Sequence, residues 1–370
     1  IIRYYHFIFD IFVPDLKDLL LITPPFTQLN TPYPATAYLK GFLNTKNIGA
    51  YQMDLGIEVI LNLFSKNNLS RLFAYADENQ TIKQANEQRI FALKDDYIAI
   101  IEDIIAFLQG KNQTLARQIC TDDFLPQASR FETLDDLDWA FGNMGMQDKA
   151  KHLCTLFLED LSDFIVNCVD ENFGFSRYAE RLGRSANQFD ELYQFLQQKN
   201  TFIDNITLEI LDEKLKSIEP KLVCFSVPFP GNLYSAFRCA QYIKKHFPAV
   251  KVAMGGGFPN TELRSLKDKR VFDFFDFITL DDGELPIELL YHYISPQSEV
   301  GSPQLEGVPI LKRTFLLEDD KVVYNNFSLQ KDYPQNQLGT PDYSDLLLDK
   351  YISVIEMANP MHSLWSDGSW

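Results

Sequence analysis

The sequence predicts an α/β fold: a doubly wound parallel sheet with an inserted all-helical subdomain and a C-terminal hairpin and linker. Three observations predict it. Short apolar runs end repeatedly in loops of Pro, Gly or acidic residues, and each loop leads into a helical pattern. The segment 67–200 has few Gly or Pro residues and repeats its apolar residues every three or four positions. After Tyr293 the chain turns rich in Pro, Gly and Ser. Strands that alternate with helices are typical of a parallel sheet covered on both faces.

The amino-terminal part predicts two strands and two helices. Lys17–Thr23 is apolar and breaks at two prolines, which indicates a strand and its loop. Ala35–Leu43 has the apolar spacing of a helix. Ala50–Asp54 predicts a second short strand, and Ile57–Phe64 predicts the start of a further helix.

The segment 67–200 is predicted to be an inserted helical subdomain. Its apolar residues recur at helical spacing, for example from Tyr97 to Leu108. It lies between the second and third predicted strands and is much longer than a crossover between parallel strands requires. One further helix, Leu192–Leu215, is predicted to lead back to the sheet.

Three more strands are predicted after this segment. Leu222–Val227 precedes a Pro/Gly loop, and Val250–Met254 runs into three glycines. The run that starts at Phe277 ends in the acidic turn Asp281–Glu284, and the apolar spacing of a helix follows at Leu285–Tyr293. Loops at the carboxyl ends of such strands are where doubly wound sheets bind ligands.

The C-terminal part predicts a hairpin and a linker. Val308–Leu317 and Lys321–Asn325 are apolar runs on either side of the turn Glu318–Asp320. With these elements the predicted fold is flavodoxin- or Rossmann-like. The predicted divisions are an N-terminal extension (1–16), the first part of the α/β domain (17–66), the helical insertion (67–200), the second part of the α/β domain (201–295), a linker with the hairpin (296–340) and a connector (341–370).

The composition limits the function classes. The chain has 34 basic and 51 acidic side chains and a net charge of −17. No nucleic acid partner is expected, because such proteins need a basic face. No apolar stretch approaches the roughly 20 residues of a membrane span, so no membrane partner is expected. The five scattered cysteines form no CxxC, which indicates reduced thiols in a cytoplasmic protein and no metal site. The five histidines are isolated and carry no catalytic pattern.

Three glycines, Gly255, Gly256 and Gly257, follow the fourth predicted strand. Glycines at this place bring backbone N–H groups close to a phosphate or another large ligand. The alternative is a tight turn where the sheet meets a helix. The sequence leaves both interpretations open, because neither GxGxxG nor the Lys–Ser/Thr pair of a P-loop is present.

The acidic turn has an interpretation in terms of helix capping. Asp281 and Asp282 are predicted to cap the following helix. Glu284 lies in the first turn of that helix, where the helix dipole favours a carboxylate.

Two proline-rich loops follow strands that are predicted to be neighbours where the strand order reverses. Rigid loops at such a point suit a large flat ligand. The two loops and the ends of their strands supply Thr23, Pro24, Pro25, Ser226, Val227 and Pro228. The hydroxyls of Thr23 and Ser226 are candidate hydrogen-bond donors.

Taken together, these motifs resemble the cobalamin-binding domain that precedes the catalytic barrel in cobalamin-dependent radical S-adenosylmethionine (SAM) proteins. The resemblance covers about half of the chain, and the helical segment 67–200 falls outside it. Its segments are LLLITPPF…PYPATAYLKGFL at 19–43, YQMDLG at 51–56, VCFSVPF at 223–229, VAMGGGFPN at 252–260 and FITLDDGELPIELL at 277–290. In addition, PDYSDLLLDKYIS at 341–353 resembles the connector that leads into the barrel.

The resemblance implies a bound corrinoid, with methylcobalamin as the methyl carrier if the enzyme is a methyltransferase. Most residues on the cofactor face are implied to act through backbone and shape. They are Thr23, Pro24, Pro25, Asp54, Ser226, Val227, Pro228, Gly255, Gly256, Gly257 and Glu284.

The sequence departs from the family pattern in two places. Family members that replace the lower base of the cofactor with a histidine carry DxHxxG, whereas the comparable place here, Asp54-Leu55-Gly56, has none. This implies base-off cobalamin without a protein His ligand from this motif, or a domain that has lost cobalamin. The CxxxCxxC motif that holds a 4Fe–4S cluster and its SAM is also missing. Cluster and SAM are therefore expected only in a missing C-terminal part, and the chain is not expected to be catalytic alone.

Two functions from different classes remain. The first is the N-terminal region of a radical SAM enzyme that performs a methyl transfer or a radical rearrangement on an unknown substrate. The second is a domain that keeps the fold without cobalamin and serves as a substrate-recognition or docking module, with the helical insertion as its contact surface. A free-standing flavodoxin-like signalling domain is less favoured, because no acidic phosphoacceptor pocket with a partner lysine is evident.

Overall fold

The structure, a computed structural model of the chain, describes residues 18–121, 123–133, 145–184, 189–295, 304–305 and 308–354. The predicted N-terminal extension at 1–16 lies outside these residues, as do parts of the predicted linker and connector. Within the described part of the chain, strands alternate with helices, and the predicted α/β architecture is confirmed.

The strands form one large, mostly parallel sheet and one short hairpin. In chain order they are β1 (Leu19–Thr23), β2 (Ala50–Asp54), β3 (Leu222–Ser226), β4 (Lys251–Gly255), β5 (Phe277–Thr279), β6 (Gln304–Leu305), β7 (Val308–Pro309), β8 (Thr314–Glu318) and β9 (Lys321–Asn325). The described residues build a seven-stranded sheet in the order β2–β1–β3–β4–β5–β8–β9, and β6 pairs with β7. The first five strands are parallel, while β8 and β9 extend the sheet in antiparallel fashion. The order reverses between β1 and β3, where ligands bind in such sheets.

The α-helices cover both faces of the sheet. In chain order they are α1 (Ala35–Thr45), α2 (Leu55–Leu63), α3 (Lys66–Glu78), α4 (Ala85–Ala92), α5 (Lys94–Leu108), α6 (Ala116–Ile119), α7 (Met146–Cys168), α8 (Glu180–Arg184), α9 (Phe189–Leu196), α10 (Phe202–Ile218), α11 (Pro230–His246), α12 (Gly257–Glu262) and α13 (Glu284–Ile294).

The central strands are mostly apolar because both of their faces are buried. In β1 all five residues are buried, and alternate side chains point to opposite faces. Leu19 and Leu21 pack with α1 and α13. Leu20 and Ile22 pack on the other face with α2, α10 and α11. The sheet is therefore the middle layer of three.

The helical insertion packs into the second of these faces. Buried residues of α3 to α9 belong to the same continuous cluster as α2, α10 and α11. Phe164 of α7 lies on Phe73 of α3 with ring centroids 5.0 Å apart. Phe173 and Tyr178 contact Phe26 of the loop after β1 edge to face. The insertion thus extends the core beneath the sheet and reaches the carboxyl end of β1.

Two predicted elements are each divided in the structure. The predicted helix Leu192–Leu215 is two helices, because Thr201 forms a capping box with Asp204 and begins α10 as a new helix. The predicted strand Val308–Leu317 is also divided. Its first two residues pair with β6, and β8 begins only after Arg313, whose φ of 48° bends the chain.

The residues after β9 form a strap, here defined as 326–354, that runs around α1 to the carboxyl side of β1 and β2. The Asp342 N–H donates to the Ala37 carbonyl, and the Asp345 carboxylate accepts from the Gln52 N–H on the outer edge of β2. At its end, Ile352 N–H donates to the Leu29 carbonyl. The strap therefore covers the outer edge of β2.

Candidate functional site

A cavity of about 310 Å³ opens at the carboxyl ends of β3, β4 and β5, on the face covered by α1 and α13. Its floor is apolar, with sheet residues below and helix residues at the sides. The floor consists of Leu21, Leu39, Cys224, Ala253, Ile287 and Leu290. A concave, largely apolar site with a few polar groups is the usual form of a small-molecule site.

Two residues of the lining carry a hydroxyl group. Thr36, in the first turn of α1, is 1% exposed, and its hydroxyl oxygen is buried and has no hydrogen-bond partner among the described residues. Ser226, at the end of β3, is 7% exposed. Buried polar groups are nearly always hydrogen-bonded, so the unpaired Thr36 hydroxyl is unusual.

Aromatic side chains border the mouth of the cavity. Tyr33 and Tyr38 are part of its lining, and Tyr38 is 53% exposed. Phe229 is 54% exposed and packs edge to face on Tyr33 with ring centroids 5.8 Å apart. This pair joins the loop after β1 to the loop after β3. Exposed rings beside a cavity offer a flat apolar surface.

The predicted cofactor-face residues divide into two groups. Four of them line the cavity: Ser226, Gly255, Gly256 and Glu284. Seven lie outside its lining: Thr23, Pro24, Pro25, Asp54, Val227, Pro228 and Gly257. All seven except Gly257 are buried.

The first residues of the loop after β1 are held away from the cavity by a side chain that lies far away in the sequence. Asn232, in the first turn of α11, donates from Nδ2 to the carbonyls of Pro24 and Phe26, at 2.8 Å each. Phe26 in turn packs on the aromatic residues of the insertion. Pro24 and Pro25 are consequently buried on the side of the insertion. The structure does not bring this part of the predicted loop to the cavity.

Asp54 has a structural role at the end of β2. Its Oδ1 accepts from the N–H groups of Gly56 and Ile57 and so caps α2, and its Oδ2 accepts from the Tyr351 hydroxyl at 2.8 Å. Burial raises the pKa of the Asp54 carboxyl, against the lowering effect of these hydrogen bonds. Asp54 thus ties the strap to α2 and does not line the cavity.

Two of the three glycines, Gly256 and Gly257, are explained by their close approach to the backbone of the loop after β3. A Cβ on Gly256 would lie 2.7 Å from the Val227 carbonyl oxygen, and Gly256 has a φ of 106°. A Cβ on Gly257 would lie 2.7 Å from the Pro228 carbonyl oxygen. The loop after β3 thus rests directly on the turn after β4. This geometry agrees with the tight-turn alternative for Gly256 and Gly257.

The acidic turn lines the cavity, but the capping prediction for it is wrong. The residue before α13 is Gly283, and no side chain caps the helix there. Asp281 does not cap the helix. Its N–H donates to the Asn260 Oδ1 at 2.5 Å, and its carboxylate pairs with Arg264. Glu284 lies in the first turn of α13 as predicted.

Sequence reasoning missed Thr36, Thr279, Tyr33 and Cys224 of the lining. Thr36 lies in the quoted segment PYPATAY, and a hydroxyl in the first turn of a helix next to a ligand loop was a usable signal. Thr279 ends β5 in the same way that Ser226 ends β3. Burial raises the pKa of the Cys224 thiol to about 12, so this cysteine is a neutral part of the floor at physiological pH.

The described residues contain no group of three or more His, Cys, Asp or Glu side chains placed to hold a metal ion. They also contain no helix with the length and apolar character needed to cross a bilayer. Comparisons with protein-family models, with characterised proteins and with solved structures gave no match for this chain.

Proposed function

We propose that this chain is the cobalamin-binding region of a radical SAM enzyme that performs a methyl transfer or a radical rearrangement. The observation that carries the proposal is the cavity at the carboxyl ends of β3, β4 and β5, which is lined by parts of four of the resembling segments. In this proposal the 4Fe–4S cluster and SAM are held outside these 370 residues, and the substrate is not specified.

The cavity has the size and chemistry for one part of the cofactor. At about 310 Å³ it is too small for a corrin ring with its side chains, but it has room for an aromatic base and sugar. In the base-off form the lower base leaves the cobalt and needs a new site. We propose that this base lies on the apolar floor, with the hydroxyls of Thr36 and Ser226 at its polar edge. The corrin ring then lies over the mouth, beside Tyr33, Tyr38 and Phe229.

The proposal requires no histidine ligand from the motif at residues 54–56. Among the described residues that line the cavity there is no histidine. When bound, the cofactor supplies a cobalt-carried methyl group or a cobalt-centred radical reaction. The residues of this chain hold the base, exclude water from it and present the ring at the carboxyl edge of the sheet.

The test is retention of hydroxocobalamin by the full chain after desalting, read as a shifted corrinoid spectrum of the base-off type. Ala35→Trp places a large ring in the cavity lining and is expected to abolish retention. Ala74→Trp is the matched control, because Ala74 is exposed on α3 away from the cavity and should retain the corrinoid. If the unaltered chain elutes free of corrinoid, cobalamin binding by this chain is wrong.

The alternative, a docking module without cobalamin, is supported by a different observation. Packing alone accounts for Gly256 and Gly257, so neither glycine requires a ligand. Loss of all corrinoid on desalting, with an intact melting transition, would favour this alternative.

A further inference from the structure

The main sheet has two edge strands, and the described chain covers only one of them. At one end, the strap covers the outer edge of β2, where the Gln52 N–H donates to the Asp345 carboxylate. At the other end lies β9, which pairs with β8 on one side and with no described strand on the other. An open sheet edge is a template for pairing with a further strand.

The turn of the hairpin decides which backbone groups of β9 point outward. Asp319 and Asp320 form a two-residue turn between β8 and β9, with φ values of 47° and 61°. The residue pair that closes such a turn exchanges both of its backbone hydrogen bonds, and so does every second pair after it. Val322 and Tyr324 belong to the pairs in between, so their N–H and carbonyl groups point away from β8. Neither N–H has a hydrogen-bond partner among the described residues.

Large apolar side chains are exposed beside this open edge. Leu317 of β8 and Tyr324 of β9 are each 40% exposed and lie on adjoining strands. Directly after β9, Phe327 is 68% exposed and Leu329 is 98% exposed. Apolar side chains that are exposed together mark surfaces where proteins associate. The edge of β9 therefore offers both unpaired backbone groups and apolar area to a partner.

The strand β9 is complementary to itself in one antiparallel register, which is centred on Val323. In that register Val322 lies opposite Tyr324 of a second copy, and Tyr324 lies opposite Val322 of that copy. Both outward N–H groups of each copy then meet a carbonyl of the other. A β-branched side chain beside an aromatic ring is a favourable cross-strand pair, and here the pair occurs twice by symmetry.

The charges around β9 favour this antiparallel arrangement. Lys321, the one charged residue of β9, falls opposite Asn325 of the second copy. The acidic turn at 318–320 falls beside residues 326–328 of the second copy, which carry no charge. A parallel arrangement would instead place the two acidic turns side by side, where like charges repel. Charge thus selects the same orientation as the pairing of side chains.

We propose that the outer edge of β9 binds β9 of a second copy of this chain, so that the two sheets become one continuous sheet across a two-fold axis at Val323. Such an interface uses the same surface on both copies and closes as a dimer. The inference goes beyond the proposed function and requires no ligand. No residue of β8 or β9 lines the cavity, so each copy keeps its cavity accessible in the dimer.

The first experiment measures the molar mass of the full chain by sedimentation over a series of concentrations. The unaltered chain is expected to form a dimer. Val322→Pro removes one outward N–H from each copy, while proline is tolerated on an edge strand at a residue whose N–H has no partner in the sheet. We expect this variant to dimerise at least about tenfold more weakly, with a nearly unchanged melting temperature.

The second experiment tests the register with a cross-link. In the proposed dimer Val323 lies opposite its own copy in a pair without backbone hydrogen bonds, whose Cα atoms are about 4.5 Å apart. That distance allows a disulfide. Val323→Cys is therefore expected to form a covalent dimer with oxidised glutathione, identified by mass spectrometry of the linked peptide. Val322→Cys is the matched control and should not link to its own copy, because it lies opposite Tyr324.

Two results would overturn the inference. One is an unaltered chain that sediments as a monomer at every concentration, which leaves the edge of β9 open or for a different protein. The other is a dimer that Val322→Pro does not weaken and in which cysteines at 322 and 323 link equally well or not at all. Neither result bears on corrinoid retention, so the proposed function is tested separately.

Discussion

Single residues in this protein are often explained by a neighbour that is distant in sequence. Gly256 lies against the backbone of Val227, and Pro24 is held by Asn232. The glycines and prolines stand out in the sequence because they are unusual in strands and helices. What each of them contacts depends on the folded chain. The sequence therefore marked the right loops, but it assigned Pro24 and Pro25 to a ligand that the loop does not face.

Gly256→Ala is expected to destabilise the protein strongly. A φ of 106° is unfavourable for alanine, and its Cβ would lie within 3.0 Å of three backbone atoms of Val227. We expect a loss of about 3 kcal/mol in the free energy of unfolding, measured by urea titration.

Gly110→Ala separates the cost of the positive φ from the cost of the steric collision. Gly110 has a φ of 81°, but a Cβ there would meet no atom within 4 Å. We expect this control to lose only about 1 kcal/mol, the cost of the backbone conformation without the collision. Equal losses of unfolding free energy for the two variants would show that the collision with Val227 does not contribute to the destabilisation.

At the scale of elements, the strap packs closely against α1. Lys40 of α1 is 5% exposed and pairs with Asp345 of the strap at 2.5 Å. Gly41 lies where the strap crosses the helix, and a Cβ there would overlap the Thr340 carbonyl oxygen. A glycine in a helix is normally a weakness, and here it makes room for another backbone.

The sign of the change in unfolding free energy caused by Gly41→Ala therefore tests whether the strap lies on α1. In a helix whose surface is free, this change stabilises by about 1 kcal/mol. With the strap in place, we expect a loss of about 1–3 kcal/mol and faster proteolysis of residues 339–345, because the strap must lift from α1. A rise in the melting temperature would contradict the docked strap.

The strands of the sheet could be predicted because each is a local apolar run, and a run buried on both faces is readable without knowledge of its neighbours. The antiparallel extension by β8 and β9 could not be predicted, because it depends on which edge the hairpin joins. The residues that line the cavity could not be predicted either. Thr36 and Glu284 both line it only because α1 and α13 cover the same face of the sheet.

At the scale of the whole molecule, the net charge and the burial of carboxyl groups both determine how stability depends on pH. The net charge is −17, so acidification reduces repulsion across the protein. Burial raises the pKa of Asp54, Asp160 and Asp204 above the ordinary value of 3.8. The stability that a raised carboxyl contributes is present below its unfolded pKa and is lost as the pH rises through its folded pKa. Hydrogen bonds and ion pairs lower the pKa of Asp268 and Asp332, whose contribution is lost in acid.

We therefore expect the free energy of unfolding to rise as the pH is lowered from neutral towards the ordinary carboxyl pKa of 3.8, and to fall at lower pH as Asp268 and Asp332 become protonated. Urea titrations at a series of pH values measure it. Asp54→Asn should flatten the rise, because one of the buried carboxyls no longer titrates. Asp77→Asn, an exposed control, should leave the slope nearly unchanged. A stability that falls steadily from pH 7 downward would contradict the raised pKa values.

The pairing of β1 with β3 has a consequence for the time course of folding. Leu19 lies opposite Leu222, so two adjacent central strands are separated in the chain by the whole helical insertion. At a synthesis rate of about 5–20 residues per second, β1 waits roughly 10–40 seconds for its partner to leave the ribosome. During that interval one edge of β1 has no strand to bind, while helices α3 to α9 are already available to fold. The nascent chain is thus expected to assemble its helices first and to close its sheet last, which makes the exposed edge of β1 the point at which a chaperone would bind.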